Sequence, residues 1–169
     1  MLGVNHSLPD YKRPKRGMIV RSEVVLAPGD RIYRIASTRV NGAAKSQDDM
    51  ITSPWWIREA DYEEIVRRSR MSGTELSDLW RLFGAIAKQW GASCDRVVCA
   101  TLAQPLAAFV GPGTIQDMRA DPNPNDDLPL WVPPPYITQV YIPALWSKVP
   151  GSGKILARVA LTDIQIRAV

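Results

Sequence analysis

The chain has 169 residues, 46% hydrophobic and 22% charged, with a formal charge of +4; this fits one folded domain and excludes wholesale disorder. The excess charge sits in residues 1–22, where Lys12, Arg13, Lys15, Arg16 and Arg21 face only Asp10, and the remainder is neutral. Two cysteines five residues apart, Cys94 and Cys99, and a lone histidine, His6, leave no zinc set and argue against a histidine-assisted nucleophile.

Residues 1–18 read as a basic flexible arm, with Pro9 and Pro14 breaking any helix. Such an arm is a solvated leader or an anchor for phosphates or a partner. Residues 19–169 read as a single domain of catalytic type. The chain has no run of 18 apolar residues and no signal-peptide core, so a soluble protein is expected, with no membrane partner, any export needing a carrier or a dedicated secretion system.

Met18 to Leu26 carries enough β-branched residues for a strand, and Ala27-Pro28-Gly29-Asp30 is a turn. Arg31 to Ser37 is the next strand, with Arg31 and Tyr33 on one face and Ile32 and Arg34 on the other. Asn41 to Asp49 is polar and reads as a surface loop. In Thr52-Ser53-Pro54-Trp55-Trp56, Ser before Pro suits either an extended segment or a helix N-cap. Adjacent tryptophans cannot share one helix face, so one is expected in the core and the other on a groove or pocket.

Glu59 to Arg70 is a helix by composition, with Tyr62, Ile65 and Val66 at core spacing and Gly73 as its stop. Thr74 can cap a second helix reaching about Trp90, with Leu76, Leu79, Trp80, Phe83 and Ile86 at spacings of three and four and Gly91 after its end. Asp95 to Leu102 is a buried strand, and Gln104 to Gly111 is a short helix or another strand. Residues 116–135 form a loop rich in Asp, Asn and Pro, Tyr136 to Pro143 alternates as a half-buried strand, and Lys154 to Ile166 is a β-type run. The order predicts an α+β domain with a mixed or antiparallel sheet and two main helices in mid-chain.

The arginines of the early strand, the Thr52-Ser53-Pro54-Trp55-Trp56 stretch and the late-strand Gln139 together resemble the ADP-ribosyltransferase-like superfamily, NAD glycohydrolase toxins included. The resemblance covers residues 28–143 in order of elements. It implies that Arg34, with Arg31 as rival, clamps the phosphates of NAD, which suits the planar fork of a guanidinium. It aligns Ser53 with the serine of the middle motif, although Thr52-Ser53-Pro54 departs from the usual Ser-Thr-Ser. Trp55 or Trp56 is placed to stack on nicotinamide or adenine, and Tyr33 lies beside the early arginine.

Gln139 takes the place of the late-strand acid, with Gln116 and Gln104 as alternatives. Transferases that modify arginine carry Glu-x-Glu there, and a neutral amide orients ribose but cannot act as a base. The resemblance thus implies hydrolysis of NAD, used as substrate without metal, more than transfer to a macromolecular target. It further implies a bacterial toxin or effector delivered into a target cell, paired with an immunity protein. The competing readings are nucleic-acid binding through the arm and exposed tryptophans, and an adaptor without catalysis. Gly111-Pro112-Gly113 and Gly151-Ser152-Gly153 lack the spacing of a dinucleotide fingerprint or a P-loop.

Overall fold

The computed structural model describes residues 14, 17–84, 86, 91–114, 116–117, 130–131, 133–147 and 155–169. Its centre is a seven-stranded sheet, formed by β1 (Ser22–Leu26), β2 (Arg31–Ala36), β5 (Trp55–Arg58), β6 (Arg96–Leu102), β7 (Leu106–Gly111), β10 (Gln139–Tyr141) and β11 (Leu161–Ala168). The strand order is β1-β7-β10-β5-β2-β6-β11, and the pairings are antiparallel throughout. Two short ribbons stand apart, β3 (Arg39–Val40) with β4 (Ala43–Ala44) and β8 (Gln116–Asp117) with β9 (Leu130–Trp131). The fold is therefore α+β, and the sheet is antiparallel rather than mixed.

Both faces of the sheet are covered, and the strand alternation divides most of the core in two, with a smaller third cluster of Met18, Phe109 and Tyr141. Ile32 and Ala36 of β2, Val98, Ala100 and Leu102 of β6, and Trp56 of β5 point to one side. There they meet Met50 and Ile51 of helix α1 (Gln47–Ile51), Leu145, and Ala157 and Ala160 of helix α4 (Ala157–Ala160). Tyr33, Ile35, Val97, Cys99 and Ile57 point to the other side. They pack on Ile65 of helix α2 (Glu59–Ser72) and on Leu79, Trp80 and Phe83 of helix α3 (Leu76–Phe83). A strand with two dry faces needs apolar residues at successive positions, which is why Val97-Val98-Cys99-Ala100 reads as a continuous run.

Several elements differ from the sequence expectation, each for a local reason. Asn41 to Asp49 is not one loop. Asn41-Gly42, both at positive φ (48° and 79°), form the two-residue turn of the β3–β4 hairpin, as Asn-Gly favours. Ser46 and Asp49 then make a reciprocal capping box at the start of α1. Helix α2 ends at Gly73 in the left-handed conformation, as the sequence predicts.

Helix α3 starts after Glu75 rather than Thr74, and Gly84 ends it, its N–H donating to the Trp80 carbonyl. A glycine inside the apolar stripe costs about 1 kcal/mol of helix propensity. Residues 85 and 87–90 lie outside the described set, and Gly91 does not cap α3: its carbonyl accepts from Asn41 N–H. Gln104–Gly111 resolves to a strand, β7, from Leu106 onward. The late strand is only the three residues of β10, because a turn bonding Ile137 N–H to the Pro134 carbonyl precedes it and a 3₁₀ turn, Pro143–Trp146, follows. The last β-run opens with the helical turn α4. Gly17 and Met18 join the body rather than the arm, and Met18 is buried against Phe109 and Tyr141.

Candidate functional site

The sheet parts between β2 and β5. These strands pair only at Ile32↔Arg58 and Tyr33↔Ile57, whereas β2 stays paired with β6 through Ala36 and β5 with β10 through Trp55↔Tyr141. From Arg34 onward one edge of β2 has left its neighbour, and the opening is a cleft of about 1070 Å³. That is the upper end of the range for small-ligand pockets. Residues 34–37 form one lip and residues 52–57 the other, with Gln139 at the closed end.

Arg34 is the charged centre of this cleft. Its Nη1 donates to the carbonyl of Met50, one of the carbonyls left without a partner at the end of α1. The guanidinium carbon lies 5.7 Å from the centre of the Trp56 ring. Arg34 Nε is buried with no partner, and no carboxylate among the described residues pairs with the group. Burial pushes its pKa down to about 10, so it remains a cation at neutral pH. A guanidinium surrounded by protein without a counter-ion is costly, and an anion entering the cleft would supply one.

The Thr52-Ser53-Pro54-Trp55-Trp56 stretch leaves α1 and enters β5. Ser53 is buried, and its hydroxyl accepts from Trp55 N–H at 3.2 Å, so it shapes the extended entry to the strand and caps no helix. The Trp56 indole donates to the Ser53 carbonyl at 2.7 Å and its ring is fully buried. Trp55 is half-buried in the cleft wall and meets Tyr141 edge-on, with centroids 4.8 Å apart. Both thus line the cleft, Trp56 from a fully buried position and Trp55 half-buried and packed on the cluster of Met18, Phe109 and Tyr141. Gln139 is 5% exposed, and its Nε2 donates to the Gly84 carbonyl at 2.9 Å, which ties the late strand to the end of α3.

Arg34, Ser53, Trp55, Trp56 and Gln139 therefore share one cavity. Arg31 does not line it. Its Nη1 is paired with Glu59 at 2.7 Å and its Nη2 donates to Cys99 Sγ at 3.4 Å, at the surface above α2. Tyr33 contributes to the cleft wall, but its ring is stacked on Tyr62 at 4.3 Å and its hydroxyl donates to Glu59. Burial and the neighbouring Glu59 raise its pKa, so it stays a neutral phenol. Gln104 lies between β6 and β7 and outside the cleft lining. Gln116 lies in β8, and its side chain is outside the described set.

The structure adds residues that the sequence did not single out. Thr52 Oγ1 faces the cleft, buried and without a partner. Asp49 is the one carboxylate among the described lining residues, held below the usual carboxylate range by hydrogen bonds from Ser46. Cys94, at positive φ, closes the inner wall, and burial raises its thiol pKa. Trp146 stands at the rim, 67% exposed. The signal for it was present in Leu145-Trp146 after Pro143: two adjacent large apolar residues on a turn cannot both be buried.

Among the described residues no cluster of His, Cys, Asp or Glu could hold a metal ion, and no helix is long and apolar enough to cross a membrane. No family model, curated protein or solved structure matches the chain.

Proposed function

We propose that the chain is an NAD glycohydrolase of ADP-ribosyltransferase-like architecture, releasing nicotinamide and ADP-ribose. The observation that carries this reading is the carboxylate-free arginine, Arg34, at the point where the sheet parts. Around it, the strands of the three resembling motifs are neighbours: β10 with Gln139, β5 after Ser53, and β2 with Arg34. Chain order alone did not require that adjacency.

In this reading Arg34 holds the diphosphate through charge-assisted hydrogen bonds, and the buried Trp56 ring beneath it restricts where the guanidinium can go. Trp55 offers an apolar face to the nicotinamide, and Gln139, its Nε2 anchored on Gly84, presents Oε1 to a ribose hydroxyl. The bond from ribose C1′ to the ring nitrogen breaks, and its electron pair neutralises the pyridinium as nicotinamide leaves. The oxocarbenium-like C1′ takes the oxygen of water, whose proton passes to solvent. Fixed dipoles in a shielded cleft stabilise that charge without reorganising. Asp49, ionised at neutral pH, is the one carboxylate among the described lining residues that could face the developing cation.

The absence of a Glu-x-Glu pair at Gln139 favours water over a protein acceptor. Depletion of NAD harms the cell in which it occurs, so an effector delivered elsewhere, with an immunity protein filling the cleft, belongs with this reading. The test is a time course of nicotinamide and ADP-ribose release from NAD by the purified protein, with Gln139→Ala alongside. Release that falls about 100-fold in the variant, the scale of losing one preorganised polar contact, would support it. A folded wild type that releases nothing would sink it.

A further inference from the structure

We propose that Trp146 forms an adenine-binding wall at the open end of the cleft, which makes the site one for a whole dinucleotide rather than for its nicotinamide half. The inference rests on the reading of the cleft as an NAD site and adds to it a second ring-binding position.

Strand register orders the cleft. Gln139 lies level with Ile57, Val140 with Trp56 and Tyr141 with Trp55, while on the facing lip Tyr33 is level with Ile57 and Arg34 is one residue farther out. Gln139 therefore marks the closed end, on the α3 side of the sheet, and Arg34 the next level, on the α1 side, so the line between them passes through the gap where the strands part. Ile142 N–H then bonds to the Pro54 carbonyl, and the 3₁₀ turn carries the chain on to Trp146. The three steps from Gln139 to Ile142 span about 10 Å of strand, and the turn adds about 2 Å per residue. A molecule with ribose at Gln139 and diphosphate at Arg34 directs its far end toward Trp146.

The turn that holds Trp146 is fixed on both sides. Pro143 and Leu145 are buried, Leu145 completely. Leu145 N–H bonds to the Ile142 carbonyl, Ser147 N–H to that of Ala144, and Leu156 N–H to that of Ser147. With Leu145 locked inward, its neighbour must face out. Trp146 is the most exposed of the cleft's aromatic side chains at 67%. Trp55 is engaged edge-on by Tyr141 and Trp56 lies under Arg34, whereas no described ring contacts Trp146. A large flat ring carried on a fixed turn and open to water beside a cationic cleft suits a base, which brings a π-face and loses little freedom on stacking.

The test combines NAD turnover with titration calorimetry of AMP, ADP-ribose and nicotinamide mononucleotide, for the wild type, Trp146→Ala and Trp146→Phe. Because the side chain is exposed, both variants should fold. Trp146→Ala should raise KM for NAD about tenfold, the lower end of what base stacking on an aromatic supplies, with kcat within about twofold. It should weaken AMP and ADP-ribose similarly, leave nicotinamide mononucleotide unchanged, and be largely rescued by Phe. Wild-type turnover with an unchanged KM and unchanged ADP-ribose affinity in Trp146→Ala would overturn the adenine wall alone. Equal weakening of all three probes would overturn it too, since the ring would then support the cleft as a whole. A folded wild type that neither turns over NAD nor binds any probe would remove the underlying reading together with this one.

Discussion

Replacing Arg34 by methionine separates a binding role from a structural one, because the two give opposite signs in stability. Burial lowers the Arg34 pKa from 12.5 to about 10, and at about 1.4 kcal/mol per unit the charged form is disfavoured by about 3 kcal/mol in the fold. As a base with a depressed folded pKa, Arg34 carries this cost throughout the pH range below 10, and the fold regains it only between about 10 and 12.5. Methionine removes the cost. It also removes the hydrogen bond to the Met50 carbonyl and the contact with the Trp56 ring, each about 1 kcal/mol. The net expectation is a gain of about 1 kcal/mol, or about 2–4 °C in Tm for a domain of this size. Nicotinamide release should be lost and ADP-ribose binding reduced at least 100-fold, as for a charged partner removed from a buried contact. Urea unfolding and NAD turnover on the same preparation read both. A variant destabilised by more than about 2 kcal/mol would refute the reasoning, because Arg34 would then be a structural tie between α1 and β5.

Other perturbations test neighbouring parts. Gly111→Ala places a Cβ 1.9 Å from the Ile19 carbonyl oxygen; thermal melts should show a loss of at least about 2 kcal/mol, typical of backbone overpacking, and limited proteolysis should release the chain before β1. Asp95 accepts from Thr38 N–H, Thr38 Oγ1 and Ser93 Oγ, and although burial works against them these bonds hold its pKa below the usual 3.8. Its stabilising share is therefore complete above pH 4 and lost as pH falls through 3.8 toward the folded value, so wild type and Asp95→Ala should converge in stability under acid unfolding. Asp61 is shifted the other way by burial, against the donation from Thr138 N–H. Asp61→Asn should leave the hydrogen bond to Oδ1 in place and raise Tm at pH 7, with the difference vanishing at low pH, where Asp61 is protonated.

What the sequence made legible follows the two periodicities. The alternation of Arg31 to Ser37 assigns Ile32 and Arg34 to one face and Tyr33 to the other, and the two halves of the core divide there. The stripe of α2 and the glycine that ends it were equally readable. Chemistry that depends on register was not. That Arg34 rather than Arg31 belongs to the cleft follows from where β2 and β5 stop pairing, a property of two strands separated by a helix and a hairpin. The hairpin itself was signalled by Asn41-Gly42 but masked by the polarity around it, and α1 is too short for a stripe, its only sequence mark being Ser46 and Asp49 three apart.

These short elements explain why the sheet parts where it does. The β3–β4 ribbon and α1 occupy the 18 residues between β2 and β5, and α1 packs Met50 and Ile51 into the same core half as Trp56. Met50 thereby brings its carbonyl to Arg34, filling the space that continued pairing of the two strands would close. On the outer lip, Ser53 and Pro54 turn the chain into β5 and fix Ile142 through the Pro54 carbonyl. One helix of five residues and one turn thus hold the lips apart, so the cleft is already open in the fold without an occupant. NAD bound as proposed therefore need not force the strands apart, and its affinity should depend chiefly on how it meets Arg34, Gln139 and Trp146.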